Sequence, residues 1–417
     1  MKRLLILLLF ITLSASAQEP LSLNECINQA IQNSEQLKIN SKESAVLYSA
    51  LEIVKTEYLP SLSATASGDI NTNNLQNSTL RNYGYDIGLT LQQSLWQGGR
   101  INSAKRAAQL QITIQDESNE RALQSVEYLA ATHYWNLAAY QRYLDIANQY
   151  LRDVELLYDI VETRYRDGYV SKSDLLMIQT HLNEAQQGVI VANRLCNNAL
   201  YTLNQTLGNV QVVPYELLDT LSTPTNSPSS LNFDEVLNHR ADYQSTRSAL
   251  RLAQENINVT KSLFSPQLWL TLNSSYGTPI PNLISDKIDL YGVAAVSFSA
   301  TIFEFGKRHK SVAQAKGRVA IAELNILELE QTIFEELQSA VNDLEHNYRE
   351  CRLWEENLST AQENLMLSIY RYEQGAIPML DVLSAQIMWL TSYKARVGAQ
   401  WGYALSVATL GYVSGEF

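Results

Sequence analysis

The side chains best suited to chemistry are few in this chain and poorly spaced for catalysis. Five histidines (His133, His181, His239, His309 and His346) show no ligand spacing with one another or with the three cysteines (Cys26, Cys196 and Cys351), so no metal site is expected. An odd number of widely separated cysteines does not read as a disulfide framework. The sequence holds no G-x-S-x-G, P-loop or dinucleotide fingerprint, hence no positive evidence for an enzyme and no cofactor. What recurs instead is Arg-Tyr-x-x-Gly-x-x-x-x-x-Asp-x-Leu, once from Arg164 to Leu176 and again from Arg371 to Leu383. Each copy joins a guanidinium and a carboxylate to a glycine that can turn the backbone with positive φ at a helix end. The missing side chain also leaves a notch that a partner helix can approach closely.

The whole chain repeats around these two sites. Gly99-Arg100 matches Gly306-Lys307, Arg164-Tyr165 matches Arg371-Tyr372, Gly168 matches Gly375 and Asp174 matches Asp381, all at an offset of 207. Upstream, Tyr58-Leu59-Pro60-Ser61-Leu62 matches Phe264-Ser265-Pro266-Gln267-Leu268 at an offset of 206. Equal spacing over such a length means that the two halves form geometrically equivalent units.

Residues 1–17 read as an export signal, with Lys2-Arg3 as the charged start, Leu4 to Leu13 as the apolar run and Ala15-Ser16-Ala17 as the cleavage site. Cleavage would leave Gln18 first, with no Cys there to carry a lipid anchor. No other stretch approaches the 18 or more apolar residues of a transmembrane helix. The net charge of −12 falls by two more once Lys2 and Arg3 are removed, a balance that argues against nucleic acid as a partner.

Prolines are absent from 61–213 and from 282–377. Within the first gap a heptad seam runs Val126, Ala130, His133, Leu137, Tyr140, Leu144, Ala147, Leu151, Val154, Tyr158, Val161 and Tyr165. The second gap repeats it as Leu337, Val341, Leu344, Tyr348, Cys351, Leu358, Leu365 and Tyr372. On such a seam His133 reads as a core imidazole and Cys351 as a small apolar knob. The spacing predicts long helices at about 98–166 and about 305–374, the first roughly 100 Å long at about 1.5 Å per residue.

Before each long helix the period changes to two. Tyr83, Tyr85, Ile87, Leu89 and Leu91 alternate with Gly84, Asp86, Gly88 and Thr90; Ala294, Val296, Phe298, Ala300 and Ile302 alternate with Ala295, Ser297, Ser299 and Thr301. Shorter partners, Leu62-Ala64-Ala66 and Leu268-Leu270-Leu272, precede them across polar stretches rich in Asn, Ser, Gly and Pro. Each repeat is therefore expected to hold a β-hairpin, at about 61–96 and about 267–304. Four strands cannot close a barrel, which takes about eight, so several chains would have to pool theirs.

In order along the chain, these residues resemble the TolC family of outer-membrane efflux channels. Leu21-Ser22-Leu23-Asn24-Glu25-Cys26 with Ala30 is similar to the family's first helix, and Tyr58 to Leu62 to the entry of its first strand. Leu95-Trp96-Gln97-Gly98-Gly99-Arg100 is similar to its hairpin exit, the duplicated tip motif to its periplasmic ends, and Leu207-Gly208 with Leu410-Gly411 to its helix-end signatures. The resemblance implies an α+β membrane protein with an internal two-fold repeat. Long coiled-coil hairpins would build an α-barrel, and two β-hairpins would give four strands to a trimeric 12-stranded β-barrel. The first repeat would span 18–208, a linker at an equatorial collar 209–230, and the second repeat 231–417. The implied role is the passive outer-membrane exit duct of a tripartite efflux or type I secretion system, with its tunnel reaching into the periplasm. Its partners would be two further copies, outer-membrane lipid, a periplasmic membrane-fusion adaptor and, through it, an inner-membrane pump of RND, ABC or MFS type. The competing reading is a periplasmic coiled-coil scaffold without a pore.

The resemblance also assigns residues. Arg164, Gly168 and Leu175, with Arg371, Gly375 and Val382, would form the adaptor-docking tips. Asp381 would stand in a carboxylate ring at the periplasmic aperture, repeated by threefold symmetry, with Ser384 where the family's type member has a second acid. Asp174 and Tyr372 would form an acceptor–donor latch between neighbouring helices; Ile377 stands where that latch has its basic residue.

Overall fold

The structure, a computed structural model, describes residues 19–70, 83–224, 232–277 and 288–416. The expected export signal, most of both polar hairpin loops, residues 225–231 of the linker and Phe417 lie outside them. The first repeat contains β1 (Glu19–Leu21), α1 (Leu23–Asn33), α2 (Glu35–Thr56), β2 (Ser61–Ile70), β3 (Tyr83–Trp96), α3 (Arg100–Arg166) and α4 (Lys172–Thr206). After β4 (Tyr215–Leu217), the second contains α5 (Phe233–His239), α6 (Ala241–Ser262), β5 (Gln267–Gly277), β6 (Asp289–Ser299), α7 (Lys307–Glu373) and α8 (Met379–Ser414). Both long helices have 67 residues. Positive φ recurs at the same offset, at Gly99 and Gly306, Gly168 and Gly375, Gly208 and Gly415. The second helix-end signature is thus displaced: Gly411 lies inside α8, and Gly415 ends it.

The chain divides into two compact units that do not coincide with the repeats. One gathers the described residues up to Lys38, Arg121–Arg240 and those from Thr332 onward; the other gathers Ile39–Glu120 and Ala241–Gln331. Each repeat contributes to both.

The second of these units is built on a four-stranded antiparallel sheet in the order β2-β3-β5-β6. Register sorts the side chains by polarity, because alternate residues face opposite sides of a strand. Pairing of Leu62 with Leu91, Ala64 with Leu89, Leu91 with Leu272 and Leu270 with Val296 makes one face apolar across all four strands. Leu62, Ile87, Leu89, Leu290, Val296 and Phe298 on that face are all more than half exposed. The opposite face is polar and bonded to itself. Asn273 donates to Thr90 Oγ1 at 2.9 Å, Ser275 to Asn273 Oδ1 at 3.0 Å, and Tyr291 to Asp86 Oδ2 at 2.6 Å. β6 stops at Ser299, so residues 300–304 of the expected second hairpin are not strand; Ile302 and Phe303 there, and Phe305 just after, are exposed.

In the first unit a parallel pair that sequence periodicity missed, β1 with β4, ties the chain's start to the linker. Three-residue strands are too short to show a period. Tyr134 pins them: its hydroxyl lies 3.0 Å from both the Leu21 carbonyl and Asp219 Oδ2. Tyr134, not His133, is the fully buried residue of that turn of α3. His133 is half-buried, bonds Thr206 Oγ1 at 2.6 Å, and has its pKa lowered by burial. Further along α3 the buried set is Tyr150, Val154, Leu157 and Val161, so the expected Leu151 and Tyr158 only flank the seam. From Leu344 onward α7 keeps the strict heptad, burying Leu344, Cys351, Leu358, Leu365 and Tyr372; α4 does the same with Ile178, Ala185, Ala192 and Ala199. One buried residue per two turns is narrower than the face a globular helix covers. It leaves Leu353, Met366, Leu367 and Tyr370 of α7 exposed.

Candidate functional site

The two repeated motifs meet at one end of the first unit, where α3 turns into α4 and α7 into α8. A shared core holds the turns together: Val161 of α3, Ile178 of α4, Leu365 and Tyr372 of α7, and Met379, Val382 and Leu383 of α8. Fully burying such side chains stabilises by about 1.5–3 kcal/mol each, ample to fix the turns relative to one another. Val382 is completely buried here and Leu175 half-buried against the same core, so both hold the tips from within.

The two turns have the same backbone. The Gly168 N–H donates to the Tyr165 carbonyl at 3.1 Å, and the Tyr169 N–H to the Arg164 carbonyl at 2.8 Å. At the second turn the Gly375 N–H donates to Tyr372 and the Ala376 N–H to Arg371, both at 2.9 Å. Both are Schellman closures, which need a left-handed residue at the glycine. The φ values are 78° and 72°, and a Cβ at either position would meet nothing within 4 Å. Conformation therefore requires glycine within the chain, and the space above each one stands open.

The side chains around these turns differ. At the first, Ser171 caps α4 in a reciprocal box: the Asp174 N–H donates to Ser171 Oγ at 3.2 Å, while the Ser171 N–H and hydroxyl donate to Asp174 Oδ2 at 3.0 and 2.8 Å. At the second, the capping position is Pro378, which has no side-chain donor or acceptor. Asp381 occupies the place of Asp174 but is exposed and, among the described residues, accepts no hydrogen bond. Ser384 donates to the Leu380 carbonyl within its own helix at 2.8 Å, which spends its hydroxyl proton. Asp174 and Tyr372 are not hydrogen-bonded to each other. The Tyr372 hydroxyl is buried without a partner, and Asp174 is committed to its cap through one oxygen.

The arginines differ in the same sense. Arg164, half-buried, reaches from the end of α3 to the end of α7. It donates to the Tyr372 carbonyl at 3.1 Å and the Glu373 carbonyl at 2.7 Å, with its guanidinium 4.9 Å from the centre of the Tyr372 ring. Those carbonyls lie in the last turn of α7, where the helix dipole favours a cation. Arg371 is exposed and, among the described residues, makes no hydrogen bond or ion pair. The Arg164 bridge carried no signal in the sequence beyond the motif itself, since both copies contain the same Arg-Tyr pair.

Above the tips lies a groove of about 330 Å³ between α3 and α7, lined by Asp153, Leu156 and Ile160 on one side and Leu365, Met366 and Ile369 on the other. Trp389 and Gln386 close its floor. The Gln386 side-chain oxygen is buried without a hydrogen bond. Burial raises the Asp153 carboxyl pKa, with the Arg152 charge pulling it back. A short seam thiol completes the shank: burial first, then Glu350 and Glu355, push the Cys351 pKa up to about 11, which leaves it an inert thiol at neutral pH. Among the described residues no three His, Cys, Asp or Glu side chains group as a metal site.

Known proteins resemble this chain in sequence and in fold. A profile of the outer membrane efflux protein family matches residues 26–209 and 232–416, one segment per repeat. The cation efflux system protein CusC of Escherichia coli strain K12 is 22% identical over 375 residues, covering 86% of this chain and 79% of CusC. The pyoverdine export outer membrane protein OpmQ of Pseudomonas aeruginosa is 23% identical over 323 residues; the match covers 74% of this chain and 65% of OpmQ. The CmeC outer membrane channel of Campylobacter jejuni superimposes with a TM-score of 0.82 at 20% identity, over 94% of this chain and 85% of CmeC, and so shares the fold.

Proposed function

This chain belongs to the outer membrane efflux protein family, and we propose that it is the passive exit duct of a tripartite efflux system. One observation carries the reading furthest. A sheet with one apolar and one polar face, whose outer strands β2 and β6 each have one unpaired edge, is unsuited to water on its own. Three copies joined edge to edge give twelve strands, lipid on the apolar face and water on the polar one. The aromatic side chains of Trp96, Phe303 and Phe305, all exposed beside the sheet, then fall at the membrane–water boundary. The narrow seams of α4 and α7 support the same trimer, since their exposed apolar flanks need neighbouring helices. Residues 1–17 would be the export signal.

The tips receive the periplasmic adaptor, through which an inner-membrane pump of RND, ABC or MFS type drives transport. Gly168 and Gly375 offer the open notches, with Arg164, Leu175 and Val382 fixing their frames and Arg371 standing exposed beside the second. Asp381, unbonded and exposed, forms a threefold carboxylate ring at the aperture, the arrangement that draws cations in other channels; Ser384 adds a dipole but no charge. Tyr372 and Asp174 latch the closed state, the buried hydroxyl meeting the carboxylate oxygen that the cap leaves unused. Tyr372→Phe then raises resting conductance in planar bilayers, and unchanged conductance removes the latch.

The deciding experiment is the mass and heat-modifiability of the protein extracted from outer-membrane fractions. A detergent-dependent trimer with barrel-like gel mobility supports the duct. A salt-extractable monomer or dimer favours the pore-less scaffold and removes every pore assignment.

A further inference from the structure

The two arginines of the repeated motif are chemically identical, equally placed in sequence, and unequally used. Arg164 closes on Tyr372 and Glu373 within the chain. Subtracting the repeat offset, the equivalent acceptors for Arg371 are the carbonyls of Tyr165 and Arg166, in the last turn of α3. Among the described residues no arginine occupies them: the Tyr165 carbonyl accepts the Gly168 N–H of its own turn, just as the Tyr372 carbonyl accepts the Gly375 N–H besides its bond from Arg164. The rings follow suit. Tyr372, roofed by Arg164, is 4% exposed, whereas Tyr165 is 38% exposed with no guanidinium over it. An unspent donor at the end of α7 is thus matched by acceptors at the end of α3 that lack the arginine bond their counterparts have.

We propose that Arg371 of one copy clasps the last turn of α3 in the next copy, donating to its Tyr165 and Arg166 carbonyls and covering its Tyr165 ring. The occupant is a second copy of this chain, because only another α3 end presents the carbonyl pair and tyrosine that the internal clasp already demonstrates. The clasp rests on the trimer reading above. With it, six equivalent arginine bridges, three within chains and three between them, alternate around the ring of tips. Each places a cation at a helix C-terminus, where the dipole and the free carbonyls both favour it. The three within-chain bridges alone would leave half of the tip circle without this link, so the interchain clasp is what makes the ring continuous.

Cysteine pairs related by the repeat test it while leaving both arginines in place. Cys196 is first changed to Ser; Cys26 and Cys351 are buried, their pKa values raised to about 12 and about 11, and stay unreactive. Asp167→Cys with Glu373→Cys reports the internal clasp, and Gln374→Cys with Arg166→Cys reports its proposed interchain equivalent; all four positions are exposed. A short bis-maleimide is added to the detergent-extracted protein, followed by a denaturing gel and a native mass measurement. The first pair is expected to link within one chain and run as a monomer, the second to give covalent dimers and trimers. Adding Arg371→Ala to the second pair slows linking roughly tenfold, with Arg371→Lys between, as loss of a charge-assisted hydrogen bond predicts. A native trimer in which the second pair links within one chain, fails to link, or links at a rate indifferent to Arg371→Ala overturns the clasp alone. A protein that is not a trimer overturns the clasp together with the duct.

Discussion

The two tips have one backbone and two chemistries. Both close in the same Schellman turn around an open glycine, yet the first satisfies its polar side chains locally and the second does not. Asp174 is bound in a capping box and Arg164 in a carbonyl clasp, while Asp381 and Arg371 at the corresponding positions have neither. The difference traces to one substitution between repeats, Ser171 against Pro378, and to which neighbour each arginine finds within the chain. A repeat fixes geometry; what each copy does with it depends on groups left unsatisfied. The first tip spends its charged groups locally, and the second leaves a charge and a donor unspent, which the proposed duct would turn toward the lumen and a neighbouring chain.

The glycines, where the tips agree, set the largest expected effect. Gly168→Trp and Gly375→Trp both force an unfavourable left-handed residue, at about 1–2 kcal/mol, and fill the open notch. Each is expected to abolish transport in a drug-sensitivity or secretion assay while a detergent trimer still forms. Transport lost at one tip and kept at the other would show that the notches are not equivalent docking points.

The aspartates come next, and there the tips should separate. Asp381→Ala is expected to remove the cation preference of the duct in single-channel recordings without a measurable change in thermal unfolding. Asp174→Ala should do the reverse, lowering stability by about 1 kcal/mol through loss of the capping box, with selectivity intact. Equal effects of the two variants on either readout would dissolve the distinction.

Arg164→Ala ranks with Asp174→Ala in kind and exceeds it in size. It removes two charge-assisted carbonyl bonds and a ring contact from a half-buried site, worth about 2 kcal/mol together. Arg164→Lys can reach one carbonyl but not both, and is expected to recover about half of the loss in a denaturant titration. A neutral Arg164→Ala would mean that the tip core alone holds α3 to α7.

Much of this was legible in the sequence because it rests on backbone requirements. The hairpins announced themselves by period-two alternation that must match a sheet with two unlike faces, and the tips by a glycine whose left-handed φ nothing else supplies cheaply. The seam was less legible. Around Tyr134 the helix α3 is apolar on too broad an arc, with Ala130, Ala131, Leu137, Ala138 and Ala139 all buried, so several heptad registers fit equally well. Contact with more than one element, not one partner helix, decided that Tyr134 and Leu157 go inside and His133 and Tyr158 to the flank. The division of labour between Arg164 and Arg371 could not be read at all, because their local sequences are the same and only the packing of α3 beside α7 separates them. Compact units that cut across both repeats hid in the same way: sequence similarity follows ancestry along the chain, while compactness follows contacts between segments far apart in it.

The finest test converts one tip into the other. Pro378→Ser places a capping hydroxyl three residues before Asp381, the spacing of Ser171 and Asp174. A serine there gains a side-chain acceptor for the Asp381 N–H and restores a backbone N–H that can bind the carboxylate. The cap should add about 1 kcal/mol, and loss of the rigid proline should cost about 0.4–1 kcal/mol through the unfolded chain, so stability hardly moves. Selectivity is the informative readout. A carboxylate held by its own cap has a lowered affinity for passing cations, and Pro378→Ser is expected to reduce the cation preference part of the way toward that of Asp381→Ala. Full preference in the variant would mean that Asp381 keeps one oxygen in the lumen despite the cap, as the uncommitted oxygen of Asp174 allows. The distinction between the tips would then lie in which way each first turn faces and no longer in whether its acid is capped.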